Sequence, residues 1–340
     1  MSATINDVAR EAGVSITTVS RVVNNNYPVK QETRQKIEKA IEKLNYKPNA
    51  MARSLITKKT SMIGVVVPGI TNLFFPTIVE AIEEYAKTKG YSISLCNTGG
   101  DPKSETEVVQ KLVSRQVDGL VVIDPTIENL EKEYYEKLSK TVPIILVNGA
   151  PSGTKCNFIC YDEEIGASEA FKYLLELGHK KIAFIRGHKS FSYDIKERMY
   201  LDMIKDEDLN YTKILNVGKG NKIDVVESTE NQVEKLLLQE DRPTAIFACN
   251  DLMAVGAINA CIKNGINIPE DMSVIGFDNT LLAQVTQPKL TSVDQNMKQI
   301  GHRAALELLD TIENGAQGRK TIILDTKLVV RESCGKVKKI

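Results

Sequence analysis

Apolar residues fall at helical spacing in three short runs within residues 4–44. In the first run, Ile5, Val8, Ala9 and Ala12 share one stripe. Thr4 with Asp7 three residues on marks its start, and Gly13 marks its end, because a tight turn needs a left-handed residue. The second run follows at once, with Ser15 as cap, Val19, Val22 and Val23 as buried positions, and Thr17, Thr18, Ser20, Arg21 and Asn24 on the polar face. After the loop Asn24-Asn25-Asn26-Tyr27-Pro28, the spacing of Ile37, Ala40, Ile41 and Leu44 predicts a third helix ending near Leu44. Three helices around one small core predict a small all-α helix-turn-helix headpiece over residues 1–47.

From Met62 the pattern changes to short β-branched runs alternating with amphipathic helices. Met62–Pro68, Ser92–Cys96, Gly119–Ile123, Ile144–Val147 and Phe158–Tyr161 read as one set of strands. Ile182–Arg186, Ile214–Val217, Ala245–Cys249, Ser273–Phe277 and Thr291–Val293 read as a second set, with helices such as 164–177, 225–239 and 251–263 between them. Alternating βαβ units predict parallel sheets with helices on both faces, and two groups of strands predict an α/β two-lobed body made of two doubly wound parallel sheets. The crevice between the lobes, at the carboxyl ends of the strands, is then the default ligand site.

Charge sharpens this division. The 340-residue chain is 42% hydrophobic and 26% charged with no net charge, yet residues 1–59 carry 11 Lys+Arg against 5 Asp+Glu, leaving 33 against 39 in the remainder. A basic segment ahead of an acidic body suits a headpiece that meets nucleic acid, since Lys and Arg neutralise phosphates. The six cysteines (Cys96, Cys156, Cys160, Cys249, Cys261, Cys334) are scattered, four of them among apolar neighbours, and read as reduced core thiols. Cys156 and Cys160 read as two positions of one strand, so no metal is expected. Neither a signal-peptide run in Met1–Arg10 nor a stretch approaching a bilayer span stands out, so a cytoplasmic location away from the membrane is expected.

Two segments carry candidate chemistry. Val14–Asn24 puts small polar groups and one Arg on a helical face beside a glycine turn. The hydroxyls and the guanidinium fork of Arg21 can reach phosphates and base edges, and Ile16 offers apolar contact to a thymine methyl. An ordinary amphipathic helix with a solvated face would look the same. Tyr46–Leu55 then offers a Pro48-Asn49 helix start with Ala52 and Ser54 near Leu55. So short a helix is unstable alone and would fold against a partner copy and DNA, where Leu55 could wedge between base steps of the minor groove. A flexible linker that happens to contain Leu is the plainer alternative.

Taken in order, these motifs and several others resemble the lactose-repressor and galactose-repressor family of bacterial regulators along the whole chain. They are Ile5-Asn6-Asp7-Val8-Ala9…Ala12-Gly13-Val14-Ser15…Thr18-Val19-Ser20-Arg21-Val22, Pro48-Asn49…Ala52-Arg53-Ser54-Leu55 and Val117-Asp118-Gly119-Leu120. Further on stand Leu177-Gly178-His179-Lys180-Lys181-Ile182, Cys249-Asn250-Asp251…Ala254-Val255-Gly256-Ala257, Val274-Ile275-Gly276-Phe277-Asp278 and Leu290-Thr291-Ser292-Val293…Gln295. The resemblance implies a headpiece over 1–47, a hinge helix and linker over 48–60, and a periplasmic-binding-protein-like body over 61–340. Its N-lobe would be about 61–162 and 293–324, and its C-lobe about 163–292 and 325–340. It implies that Ser15–Asn24 is the recognition helix, Ile16 and Thr17 the main base-reading positions and Leu55 the minor-groove lever, with Thr4, Ser15, Thr18, Ser20, Arg21, Asn24, Asn49, Ala52 and Arg53 completing the DNA-binding set. A homodimer on near-palindromic operator DNA is implied as well.

The same resemblance places a small-molecule effector in the cleft. Phe74 and Phe75 would stack on it, Arg198 and Asp278 would make charged hydrogen bonds, and Asn148, Phe247, Asn250 and Gln295 would complete the lining. For each of these taken alone, burial or a surface ion pair is the simpler account. The family follows its cleft Arg with Gly and an aromatic at the third and fourth positions, whereas Arg198 is followed by Met199-Tyr200-Leu201-Asp202. The positive loop Arg186-Gly187-His188-Lys189 would suit an acidic sugar or sugar phosphate, although solvated loop charges are the simpler account; a sugar, sugar acid or sugar phosphate is expected ahead of a purine. Lys30 stands where a capping Ser is common in the family, which weakens the start of the third helix. The segment Arg331–Ile340 carries no heptads, which points to a dimer over a coiled-coil tetramer. An exported binding protein would have no use for the headpiece. A nucleotide-dependent enzyme would need a glycine-rich phosphate loop, and Thr98-Gly99-Gly100 is too short. His179, His188 and His302 lie far apart, and His179 reads as a turn residue. No enzyme and no cofactor is therefore expected.

Overall fold

The computed structural model describes residues 3–24, 27–47, 59–149, 154–188, 190–315 and 318–338. The chain divides into two compact units, Met1–Thr60 and Ser61–Ile340. The first contains α1 (Ile5–Ala12), α2 (Ile16–Asn24) and α3 (Gln31–Lys43). Thr4 and Asp7 form a reciprocal capping box: Thr4 N–H donates to Asp7 Oδ2 at 2.9 Å, and Asp7 N–H to Thr4 Oγ1 at 3.4 Å. Gly13 ends α1 at φ +64°, the left-handed conformation that lets α2 start three residues later. Val8, Ala9, Val19, Val22, Ile37 and Ala40 form the core of this unit, with Val23 and Ile41 packed at its edge. Lys30 at the start of α3 makes no side-chain cap hydrogen bond.

The second unit runs β1 (Met62–Val67), α4 (Phe74–Thr88), β2 (Ser92–Asn97), α5 (Pro102–Ser114), β3 (Gly119–Ile123), α6 (Ile127–Glu131), α7 (Tyr134–Leu138), β4 (Ile144–Val147) and β5 (Asn157–Tyr161). It continues with α8 (Glu163–Glu176), β6 (Ile182–Arg186), α9 (Phe191–Asp206), β7 (Lys213–Asn216), α10 (Val225–Leu237), β8 (Ala245–Ala248), α11 (Asp251–Lys263) and β9 (Ser273–Asp278). The last elements are α12 (Leu281–Val285), β10 (Thr291–Asp294), α13 (Met297–Asn314), β11 (Thr321–Leu324) and β12 (Lys327–Val329). The strands form two six-stranded sheets, ordered β11-β5-β4-β3-β1-β2 and β12-β10-β9-β8-β6-β7.

Alternation along the strands decides how each face of the first sheet is filled. Ile63, Val65, Val67, Val121, Ile123, Ile145 and Val147 point to α4 and α13, while Val66, Leu120, Val122, Ile144 and Leu146 point to α5 and α7. Both faces are covered, which is why these strands read as continuous apolar runs. Gly301 of α13 lies against α4, where an added Cβ would stand 2.5 Å from the carbonyl oxygen of Ile78. The second sheet carries one large core that includes Phe171, Phe184, Tyr200, Phe247 and Phe277.

Two differences from the sequence expectations stand out. β11 and β12 are short edge strands with exposed or half-buried residues, so no apolar run marks them. β12 also pairs antiparallel with β10, which makes the second sheet mixed at one edge. The whole of β10 belongs to the second sheet, so the chain crosses between lobes after Asp294 and not at residue 293. The other two crossings lie between Tyr161 and Glu163 and between Leu324 and Lys327. His179 holds a turn together, its ring nitrogens 2.9 Å from Thr244 Oγ1 and 2.9 Å from Ser273 Oγ. Among the described residues no helix is long and apolar enough to cross a membrane.

Candidate functional site

The headpiece presents its polar helix as follows. Ser15 caps α2, accepting from Thr18 N–H at 3.2 Å, and the Ser15 and Thr18 hydroxyls lie 2.8 Å apart. Asn24 Nδ2 donates to the Ser20 carbonyl at 2.9 Å and to Ser20 Oγ at 3.1 Å. These four side chains are therefore engaged in local bonds. Ile16, Thr17 and Arg21 are exposed on the same helix, Ile16 at 49%. The Arg21 guanidinium rests over the ring of Tyr27, 4.6 Å from its centroid, which holds an otherwise mobile fork in one orientation. Thr4 is committed to the cap of α1. Asn49, Ala52, Arg53 and Leu55 lie outside the described residues.

The cleft of the second unit is built from the carboxyl ends of strands in both lobes, where backbone groups and loop side chains converge. Asp124 follows β3, Asn148 follows β4, Asn250 lies just beyond β8, Asp278 ends β9, and Gln295 follows β10. Phe74 and Phe75 begin α4 and meet edge to face, ring centroids 5.1 Å apart. All seven side chains line one narrow inner space together with Asn72, Tyr193, Lys196 and Asn221. Three of them have left-handed backbones: Asp124 (φ 52°), Asn148 (φ 56°) and Asp278 (φ 107°). Conformations that cost of order 1–3 kcal/mol each persist where the surrounding structure demands them, and they cluster at ligand sites.

Hydrogen bonds cross the cleft. Asn72 of the N-lobe accepts from Phe74 N–H at 3.1 Å and donates to Asn221 Oδ1 of the C-lobe at 3.2 Å. The Tyr193 hydroxyl donates to the same Asn221 oxygen at 3.1 Å. Asn250 caps α11 through its Oδ1 while its Nδ2 donates to the Gly220 carbonyl at 2.9 Å. Gln295 Nε2 donates to Asp278 Oδ1 at 2.8 Å. The inner space measures about 20 Å³, room for one water, and it opens past Asp124, Tyr193 and Asn221 into a cavity of about 590 Å³.

Burial dominates the electrostatics. It pushes the Asp124 carboxyl up to about 7, assisted by the nearby Glu163 charge. Asp278 is held well above the ordinary carboxylate range by burial and by the Asp251 charge. Burial lifts Asp251 to about 6, against hydrogen bonds from the Ser292 hydroxyl at 2.7 Å and from Thr280 N–H at 2.7 Å.

Two of the expected cleft residues lie elsewhere. Arg198 is exposed and pairs with Glu164 on the outer surface of the C-lobe. Phe247 is wholly buried in the second sheet, stacked on Phe171 with centroids 4.5 Å apart, because β8 is a central strand covered on both faces. The cation that does enter the cleft is Lys196, two positions before Arg198 and so about 200° round the helix from it. A signal for this was present: the aromatic expected four residues after the cleft cation is Tyr200, which is buried one turn from Lys196 and donates to the Ile182 carbonyl at 2.7 Å. Asn72, Asp124, Tyr193 and Asn221 had no such signal. Arg186 is held by Asp194 at 2.6 Å and by Glu197, so its charge is already matched inside the C-lobe.

Known proteins give this geometry a context. Residues 4–49 match the model of bacterial regulatory proteins of the lacI family, and residues 171–334 match a periplasmic binding protein-like domain. Catabolite control protein A of Priestia megaterium is 38% identical over 317 residues, covering 92% of this chain and 93% of that protein. The HTH-type transcriptional repressor PurR of Vibrio vulnificus is 36% identical over 340 residues, covering 98% and 99%. A crystal structure of the lac repressor dimer bound to operator and the anti-inducer ONPF superposes with a TM-score of 0.87 at 28% identity, covering 98% of this chain and 99% of that one. Relatives with such different names give no support to a preference for sugars over purines. With repressors among these relatives, and with similarity running from the headpiece through both lobes, this chain belongs to the lacI family of DNA-binding bacterial transcription repressors.

Proposed function

We infer that the protein represses transcription as a homodimer, each headpiece reading one half of a near-palindromic operator, under control of a small polar effector bound between the lobes. The observation that carries this reading is the pairing of an exposed Ile16-Thr17-Arg21 face with an interlobe cleft whose inner wall holds Asp278, Asn148, Asn250 and Gln295. Carboxylates and amides of this kind suit hydroxyl-rich ligands, and Phe74 and Phe75 offer them an apolar floor. A sugar therefore remains the favoured class. The sugar acid and sugar phosphate lose their main support, because Arg186 is committed to Asp194 and Glu197. A second copy is favoured by α12, which exposes Leu281 at 61% and Val285 at 64% one helical turn apart. Effector binding shifts the balance between lobe arrangements and so between high and low operator affinity. A cytoplasmic location follows from the DNA target.

Selection of bound duplexes from a random pool, followed by sedimentation of the complex, tests the reading. The expected result is a consensus with two-fold symmetry carrying two chains. A single chain per duplex, or binding with no preference over competitor DNA, would refute it.

A further inference from the structure

The effector's chemistry can be narrowed further by asking which polar groups of the cleft already have partners. Lys196 Nζ donates to Ser192 Oγ at 2.8 Å and lies 3.8 Å from the centroid of the Phe277 ring. Its separation from Glu163 Oε1 is 4.0 Å, an ion pair without a hydrogen bond. Lys196, the one ammonium lining the inner space among the described residues, is thus engaged by the protein. The acceptors are in the opposite condition. Both carboxylate oxygens of Glu163, which is 4% exposed, receive no hydrogen bond from any described residue, and neither does Oε1 of Gln295, which is 1% exposed and lines the inner space. No described residue donates to the Asp124 carboxylate, which borders both the inner space and the outer cavity. Asp124, Glu163 and Asp278 therefore face Lys196 as three carboxyl groups against one cation.

We propose that the effector is an amine-bearing polyhydroxylated molecule, an amino sugar, whose ammonium is met by Asp124. This rests on the reading that the effector binds in the cleft. An anionic ligand would bring further acceptors to groups that already lack donors, and each hydroxyl of a neutral sugar would bring a single donor. An ammonium supplies three donors, enough to reach both the Asp124 carboxyl and the unfilled Gln295 Oε1, and makes the first of these a charge-assisted pair. The raised affinity of Asp124 for its proton fits the same account. Below pH 7, binding of the ammonium displaces that proton: the neutral carboxyl and the cationic ligand give a carboxylate–ammonium pair and one proton released to solvent. A neutral ligand has no reason to release it.

The test uses the full-length protein. Thermal midpoints and titration calorimetry are measured with glucosamine, galactosamine and mannosamine, with their parent hexoses and N-acetyl forms, and with adenine, guanine, hypoxanthine and glucose 6-phosphate. The expected result is that one amine binds at least tenfold more tightly than its parent and its N-acetyl form. Asp124→Asn should remove that preference, the amine losing at least tenfold more affinity than its parent. At pH 6, calorimetry of the unaltered protein in two buffers of different ionisation enthalpy should show proton release with the amine alone. Equal binding of amine and parent, an unchanged preference in Asp124→Asn, absence of proton release, or no effect of any amine would each overturn the proposal. A purine or neutral sugar whose binding is lost in Asp278→Asn would overturn it while leaving the cleft reading standing. No response to any compound would count against both.

Discussion

Replacing Asp124 by Asn should make the protein less sensitive to pH, and the size of the change follows from the site. The carboxyl lies beside Glu163, with Glu105 further off, and Lys196 only partly offsets them. Burial and the Glu163 charge raise it from 3.8 to about 7. Between those values the folded chain keeps a proton that the unfolded chain has lost, so stability falls as pH rises and levels off above 7. Three units at about 1.36 kcal/mol each set a ceiling of about 4 kcal/mol, of which roughly 2–3 kcal/mol falls between pH 5 and pH 8. Asn has nearly the same shape and does not titrate. Urea unfolding of both proteins at pH 5, 6, 7 and 8, followed by circular dichroism, should show curves that diverge as pH rises, the variant being the more stable at pH 8. Asp251 and Asp278 slope in the same direction in both proteins, so the difference isolates Asp124. Parallel curves across the range would mean that Asp124 is ionised in the folded chain at pH 5, and the argument from burial would fail.

Lys196→Met should cost about 3–5 kcal/mol, because it strands Glu163 in a buried site, and adding Glu163→Gln should restore most of that loss; chemical denaturation of both variants checks this, and a single variant as stable as the parent would refute it. Lys30→Ser should add about 1 kcal/mol to the headpiece by capping α3, read as a higher thermal midpoint of that unit. Arg21→Ala should weaken operator binding by about 1–3 kcal/mol if the guanidinium reads a base, with little loss on a scrambled duplex. An equal loss on both duplexes, with a shallower salt dependence, would assign Arg21 to a phosphate instead.

The parts of the fold that were readable in advance are those where local sequence decides the outcome. Thr4, Asp7 and Gly13 specify the ends of α1 through contacts within a few residues, so the headpiece could be traced from spacing alone. The buried parallel strands announced themselves as β-branched runs because both faces are covered. β11 and β12 did not, since half-exposed edge strands owe their place to a distant partner and not to their own composition. The cleft was legible to the extent that its residues end strands. Asn250 and Asp278 belong to recognisable motifs, whereas Phe247, three residues before Asn250, is buried within the sheet's core. On α9 an error of two positions exchanged an inward Lys196 for an outward Arg198, because helical direction rotates by about 100° per residue. Nothing near Asp124 in the sequence signals that its carboxyl turns into the cleft, since the groups around it come from other segments of the chain.

The pairing of β11 with β5 has a consequence for how the protein is made. Ile322 and Ile323 complete a sheet whose neighbouring residues Ile159 and Cys160 leave the ribosome some 160 residues earlier. The helix that covers Ile78 and Ala81, α13, is also encoded beyond residue 296. At about 5–20 residues per second, the first lobe waits on the order of ten to thirty seconds with an apolar helix face and an open sheet edge uncovered. Translation speed through the second lobe, and the supply of chaperones that shield such surfaces, therefore bear on the yield of the first.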